Sequence, residues 1–180
     1  LSNFSTVTPT ILHGTLMAGN YAVPNVYVNV KTVFTNTAPV DAYRGAGRPE
    51  ATYSLERVID KAATELGLDP TNLRRQNFIK SDQFPYVTAA GLNYDVGDYD
   101  AVMDRLEHHA DLKGFNKRRK KSEAKGKLRG LGINSYIEAC GIAPSNLIGT
   151  LGARVGLYDA ATIRVNATGN ISVMVGAHSH

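Results

Sequence analysis

The chain has 180 residues, 43% hydrophobic and 20% charged, enough to bury a core in one domain or two small ones and too apolar for a disordered tail. A net charge of +4, much of it in one segment, identifies no polyanionic partner. A single cysteine, Cys140, excludes an internal disulfide framework and fits a reducing, cytoplasmic setting. No apolar run is long enough to span a bilayer, and no secretory signal is visible. The chain opens on Leu1 and closes on a strand-like run without a turn or cap, so the expectation is an internal piece of a longer polypeptide.

In chain order, residues 1–24 read as polar and irregular, broken by Gly14, Gly19 and Pro24. Over residues 25–36, Val26, Val28, Val30 and Thr32 alternate with Tyr27, Asn29 and Lys31, which predicts a strand. Leu55, Val58, Ile59, Ala62, Ala63 and Leu66 fall at helical spacing across 50–66, with Gly67 placed to end that helix. Asp69 and Pro70 predict a capped short helix. Residues 81–97 read as loop or short strand. Asp98 is placed to cap a helix striped by Tyr99, Val102, Met103, Leu106 and Ala110, with Gly114 ending it. "NKRRKKSEAKGK" reads as an exposed basic connection. Beyond Gly130, "LRGLGINSYIEA", "GARVGLYDAATIRVNA" and "GNISVMVGAHS" predict strands, the last two joined by a turn at Thr168-Gly169-Asn170. The expected fold class is α+β, a helical middle followed by antiparallel strands. The expected organisation is a first subdomain over 1–115, a connection over 116–129 and a second subdomain over 130–180.

One joint between predicted strand and predicted helix stands out: "DAYRGAGRPE", Asp41 to Glu50. Gly45 and Gly47 allow positive φ and a close approach to the main chain. Their N–H groups, the guanidinium groups of Arg44 and Arg48, and a helix N-terminus all favour an anion. The same residues equally describe a tight turn with exposed arginines. The loop is not a dinucleotide fingerprint, because Glu50 stands where the third glycine belongs, and no Gly-Lys-Ser/Thr follows for a P-loop.

"AYRGAGRPEA", a long helix, "LDPTNLRRQNFI", "YDVGDYDAVMDRL", "RGLGINSYIEACG" and the hairpin ending "MVGAHSH" together, in that order, resemble the large subunit of the molybdenum hydroxylases. That family includes xanthine dehydrogenases, aldehyde oxidases, quinoline-type oxidoreductases and the large chain of aerobic carbon monoxide dehydrogenases. The resemblance implies part of a molybdenum-cofactor-binding domain. It implies a molybdenum–pyranopterin cofactor, in bacteria often the cytosine dinucleotide form (molybdopterin cytosine dinucleotide). It also implies hydroxylation of an aldehyde or N-heteroaromatic substrate with water-derived oxygen. Electrons would leave through 2Fe-2S clusters to FAD, carried by an iron–sulfur small subunit and an FAD medium subunit in a dimer of heterotrimers. By resemblance, Tyr43, Arg44, Gly45, Ala46, Gly47 and His180 would bind the cofactor, and Ala46 and Tyr136 would line the substrate pocket. No residue here matches the family's catalytic glutamate, which lies downstream in the family, so none is assigned that role and the chain by itself is expected to be inactive. Two departures bear on substrate. The copper-holding cysteine of carbon monoxide oxidising enzymes is Gly45 here, leaving no soft ligand. The phenylalanine that stacks on purine in xanthine dehydrogenases is Ala46. The alternative to an enzyme subunit is an anion- or phosphate-binding module, or an inert remnant.

The remaining features read more plainly. His178 and His180 share a strand face, yet no cysteine or carboxylate neighbours them in sequence. His108 and His109 point apart on a helix. Cys140 lacks a neighbouring base and reads as a packed residue. The basic run lacks interleaved aromatics and reads as a solvated connection rather than a nucleic-acid site. With one cysteine, the chain cannot ligate an iron–sulfur cluster, which takes four.

Overall fold

A computed structural model describes residues 7–138, 149 and 159–177. The chain divides into two compact units, Leu1–Ile137 and Glu138–His180.

The first unit is mostly helical. Helix α1 spans Val7–Thr15, α2 Arg48–Leu66, α3 Pro70–Asn77, α4 Tyr99–His109 and α5 Phe115–Glu123. Strands β1 (Tyr86–Val87) and β2 (Asn93–Tyr94) pair antiparallel, Tyr86 opposite Tyr94. The predicted caps form. Asp69 accepts hydrogen bonds from the amides of Thr71 and Asn72 at 2.9 and 3.0 Å, and Asp98 accepts one from Ala101 at 2.9 Å. Gly67 closes α2 in the left-handed region, at φ 66°. Each cap satisfies backbone groups that a helix end leaves open.

Five local expectations are corrected. Residues 7–15, expected to be irregular, form α1 because Pro9 lies in the first turn, where its missing N–H costs nothing. Residues 25–36 form no strand, and among the described residues none pairs with them, so the alternation has no ladder to join there. "NKRRKKSE" belongs to α5, whose side chains are mostly charged and are not buried. Its charge is partly met locally, Arg118 pairing with Asp111 and Arg119 with Glu123. Residues 128–138 run without strand pairing and are held by side chains instead. The end of α4 also comes before the expected glycine, at Ala110, and Gly114 closes a short 3₁₀ turn ahead of α5.

The core is built on Tyr21, Phe78 and Met103, with Val23, Leu55, Ile59, Tyr99 and Ile133 packed around them. The rings of Tyr21 and Phe78 stack at 5.6 Å, and Phe78 meets Tyr99 at 5.8 Å. Ala51 and Ala63 of α2 are buried, whereas Val58 and Leu66, both in the predicted stripe, face outward.

A buried charge network crosses this core. Arg74 of α3 is fully buried. Its Nε donates to Glu56 Oε2 at 2.9 Å, and its terminal nitrogens donate to Asp60 at 2.8 Å, to the Pro70 carbonyl at 3.1 Å and to the Ile133 carbonyl at 3.2 Å. Glu56 also accepts from the Tyr21 hydroxyl at 2.5 Å and the Ser135 amide at 2.9 Å. Burial disfavours the Arg74 charge, but its bonds to Asp60 and Glu56 outweigh that and hold its pKa above the usual value. This network, rather than a sheet, fastens residues 133–135 to α2 and α3.

Burial raises the hydroxyl pKa of Tyr21, helped by its bond to Glu56, and lifts that of Tyr94 to about 12. Tyr94 donates to the Gly19 carbonyl at 2.8 Å. Between the ordinary tyrosine value of about 10 and these raised values, the unfolded chain loses protons that the folded chain keeps. Stability is therefore fully present below about pH 10 and declines as pH rises toward 12. Urea midpoints measured from pH 8 to 11 should fall only in the upper part of that range, and Tyr94→Phe should flatten the decline. A decline already steep between pH 8 and 9 would assign it to other groups.

In the second unit, β3 (Ala161–Val165) and β4 (Ile171–Val175) form an antiparallel hairpin with Ile163 opposite Val173. The predicted turn is present. The Asn166 amide bonds the Asn170 carbonyl at 2.9 Å, and Gly169 takes φ 85°. Asp159 accepts from the Gly176 amide at 3.1 Å and ties the hairpin's open end.

Candidate cofactor site

The glycine–arginine loop lies between the extended segment and α2. Gly45, Ala46 and Gly47 take φ values of 100°, 45° and 92° in succession. The Ala46 amide bonds the Tyr43 carbonyl at 2.7 Å, and the Arg48 amide bonds the Gly45 carbonyl at 3.0 Å. Two overlapping turns thus reverse the chain into α2, where Pro49 fits an early position that needs no amide hydrogen.

The fold itself demands both glycines. A Cβ at Gly47 would stand 2.0 Å from the Pro9 carbonyl oxygen of α1, and one at Gly45 would stand 2.6 Å from the Pro49 ring. Gly47 is buried on α1, while Tyr43 and Arg44 are exposed and Ala46 is half-buried. The element that the sequence concealed, α1, is therefore the seat of the loop. The packed side of the loop faces α1, and its open edge carries the Tyr43 phenol and the Arg44 guanidinium.

Tyr136 is exposed and borders a cavity of about 330 Å³ between α4 and residues 134–136. The loop residues 42–48 do not line that cavity. His178, His180 and Cys140 lie outside the described residues. Among the described residues, no three His, Cys, Asp or Glu side chains converge as metal ligands, and no helix is long and apolar enough to cross a membrane. Asn20 and Tyr99, which also line the cavity, gave no sign in the sequence beyond ordinary loop and helix positions.

This mixed helix-and-strand unit, with its glycine–arginine loop, belongs to the molybdopterin cofactor-binding domains: one such domain family matches residues 1–78, which include the loop, and a second matches residues 105–180. The chain is 34% identical to the carbon monoxide dehydrogenase large chain of Hydrogenophaga pseudoflava, over 89% of this chain and 20% of that one. It is 29% identical to the nicotine 6-hydroxylase large subunit of Paenarthrobacter nicotinovorans, over 89% of this chain and 19% of that one. Among solved structures it superposes on quinoline 2-oxidoreductase from Pseudomonas putida 86 with a TM-score of 0.76 and 29% identity, covering 99% of this chain and 22% of that one. The chain thus spans about a fifth of the length of the relatives it matches.

Proposed function

We propose that this chain is the cofactor-facing portion of a molybdenum hydroxylase large subunit, with Tyr43, Arg44, Gly45, Ala46 and Gly47 lying against a molybdenum–pyranopterin cofactor. The observation that carries the reading is the in-order match to two molybdopterin cofactor-binding domains, the first enclosing this loop. The loop's chemistry fits the group. Segment 42–48 has two guanidinium groups and no carboxylate, with Tyr43 and Arg44 on its open edge, a donor set suited to an anionic, phosphate-bearing molecule.

When bound, such a cofactor supplies two-electron hydroxylation of an electrophilic carbon with water-derived oxygen. The chain's own part is to hold and shape. Arg44 offsets negative charge, and the double turn fixes the backbone edge from Tyr43 to Ala46. The Ala46 methyl leaves open the space a stacking ring would fill, which favours an aldehyde or a bulky N-heteroaromatic substrate over a purine. Gly45 offers no thiolate, which disfavours copper-assisted carbon monoxide oxidation. His180 completes the proposed contacts, and Tyr136 the proposed substrate channel. The cytosine dinucleotide form of the cofactor, partner subunits bearing 2Fe-2S clusters and FAD, a dimer of heterotrimers and a cytoplasmic setting complete the reading.

Elemental analysis of the native assembly containing this sequence tests it. Stoichiometric molybdenum, with flavin and iron–sulfur absorption in the visible, is the expected result. The 180-residue chain by itself is expected to retain no molybdenum and to show no hydroxylase activity. An assembly purified intact and free of molybdenum would overturn the reading.

A further inference from the structure

Residues 133–138 alternate in burial: Ile133, Ser135 and Ile137 are half-buried, and Asn134, Tyr136 and Glu138 are exposed. That is the two-residue period of an extended chain, so whatever seats Ser135 inward also turns Tyr136 outward, where it is 63% exposed. Among the described residues no strand pairs with this segment, so no ladder sets its register. Two of its ties are not selective. The Ser135 amide donates to Glu56, and the Ile133 carbonyl accepts from Arg74, both through main-chain groups that neighbouring residues also carry. The third tie is selective, because Asn20 Nδ2 donates to the Ser135 side-chain oxygen at 2.7 Å. Asn20 is 1% exposed, and its own backbone is held in place, its carbonyl accepting from the Ile79 amide at 3.2 Å. A slip of two residues would keep the alternation but set Ile133 or Ile137 against the Asn20 amide, and neither side chain has a polar atom. A slip of one residue would turn Ser135 outward and Tyr136 inward. Either slip takes the acceptor away from a buried amide nitrogen, which is unfavourable.

We infer that Asn20 is a positioning residue: its bond to Ser135 fixes the register of residues 133–137 and thereby presents Tyr136 to the substrate. The role toward substrate rests on the channel position proposed above for Tyr136, whereas the register does not. Asn20 itself need touch no substrate. It acts across 115 residues of sequence, by matching one hydroxyl in a segment whose other inward side chains are apolar.

Two measurements test this. In the full chain, 3-fluorotyrosine placed at Tyr136 reports the register by fluorine NMR, with a soluble gadolinium chelate marking exposed ring. The parent should give one resonance, strongly broadened by the chelate. Asn20→Ala and Ser135→Ala should each shift or split it and weaken the broadening, and the double variant should be no worse than either single one. Ser135→Thr keeps the hydroxyl and should match the parent. In the native assembly, a panel of benzaldehyde, quinoline and their ring-substituted forms reads the role toward substrate. Asn20→Ala should raise KM about threefold or more and leave kcat within about twofold, with Ser135→Thr again like the parent. An unmoved fluorine resonance in both alanine variants would overturn the inference. A moved resonance with unchanged KM in an active assembly would overturn the role toward substrate. A parent assembly that lacks molybdenum or oxidises no member of the panel would overturn the hydroxylase reading and that role with it, while the fluorine signal still decides the register.

Discussion

Arg74→Met is expected to destabilise the first unit by about 3–5 kcal/mol, the usual cost of removing one partner of a buried ion pair. The cost arises on the side that remains. Glu56 would keep the Tyr21 hydroxyl and the Ser135 amide but lose the cation it pairs with, and as a buried carboxylate it would have to take up a proton or draw in water. The Ile133 carbonyl would lose its donor as well. Urea denaturation followed by far-UV circular dichroism reads the loss. Combining Arg74→Met with Glu56→Leu should recover part of it, since a whole buried pair is often replaceable by apolar side chains. Tyr21→Phe removes one neutral donor to the same carboxylate and should cost less, about 1.5–3 kcal/mol. A cost for Arg74→Met below about 1 kcal/mol would mean that the network is not closed in solution.

Gly47→Ala is expected to cost about 3 kcal/mol or more, whereas Gly67→Ala should cost about 1 kcal/mol. Both glycines have positive φ, 92° and 66°. They differ in what a methyl group would meet. At Gly67 nothing lies within 4 Å, so the change only strains the backbone. At Gly47 the methyl would collide with the backbone of Pro9, which no rotamer change can relieve, so α1 must move. Hydrogen exchange should show faster opening across residues 7–15 in Gly47→Ala and not in Gly67→Ala. Because the measurement uses the chain without cofactor, it separates packing from ligand contact. Equal costs at the two positions would refute the seating of the loop on α1.

Where the sequence was legible, a local rule decided the outcome. Asp69, Asp98, Gly67 and the turn at Thr168-Gly169-Asn170 act within a few residues of themselves, and the structure places each as read. Where it was not, the deciding partner was distant in sequence. The alternation across 25–36 asks for a neighbouring strand, and among the described residues none pairs with it. The charges of Glu56 and Arg74 look like any helix-surface charges until the chain folds them together with residues 133 and 135. The glycines of the loop were legible as special positions, but the sequence pointed to ligand approach, and the structure adds a packing demand on each, from α1 at Gly47 and from the Pro49 ring at Gly45. The double turn and its exposed cationic edge follow from that seating.

The bond from the Ser135 amide to Glu56 spans 79 residues. That separation gives the network a timetable. At a synthesis rate of about 5–20 residues per second, Glu56 leaves the ribosome roughly 4–16 s before Ser135. In that interval α2 and α3 can meet and Arg74 can find Glu56, but the backbone donor and acceptor at 135 and 133 do not yet exist. The nascent pair must therefore stay hydrated, and the helices loosely docked, until the later segment arrives to expel the water. Folding of the first molybdopterin-binding stretch thus waits on residues that belong to the second.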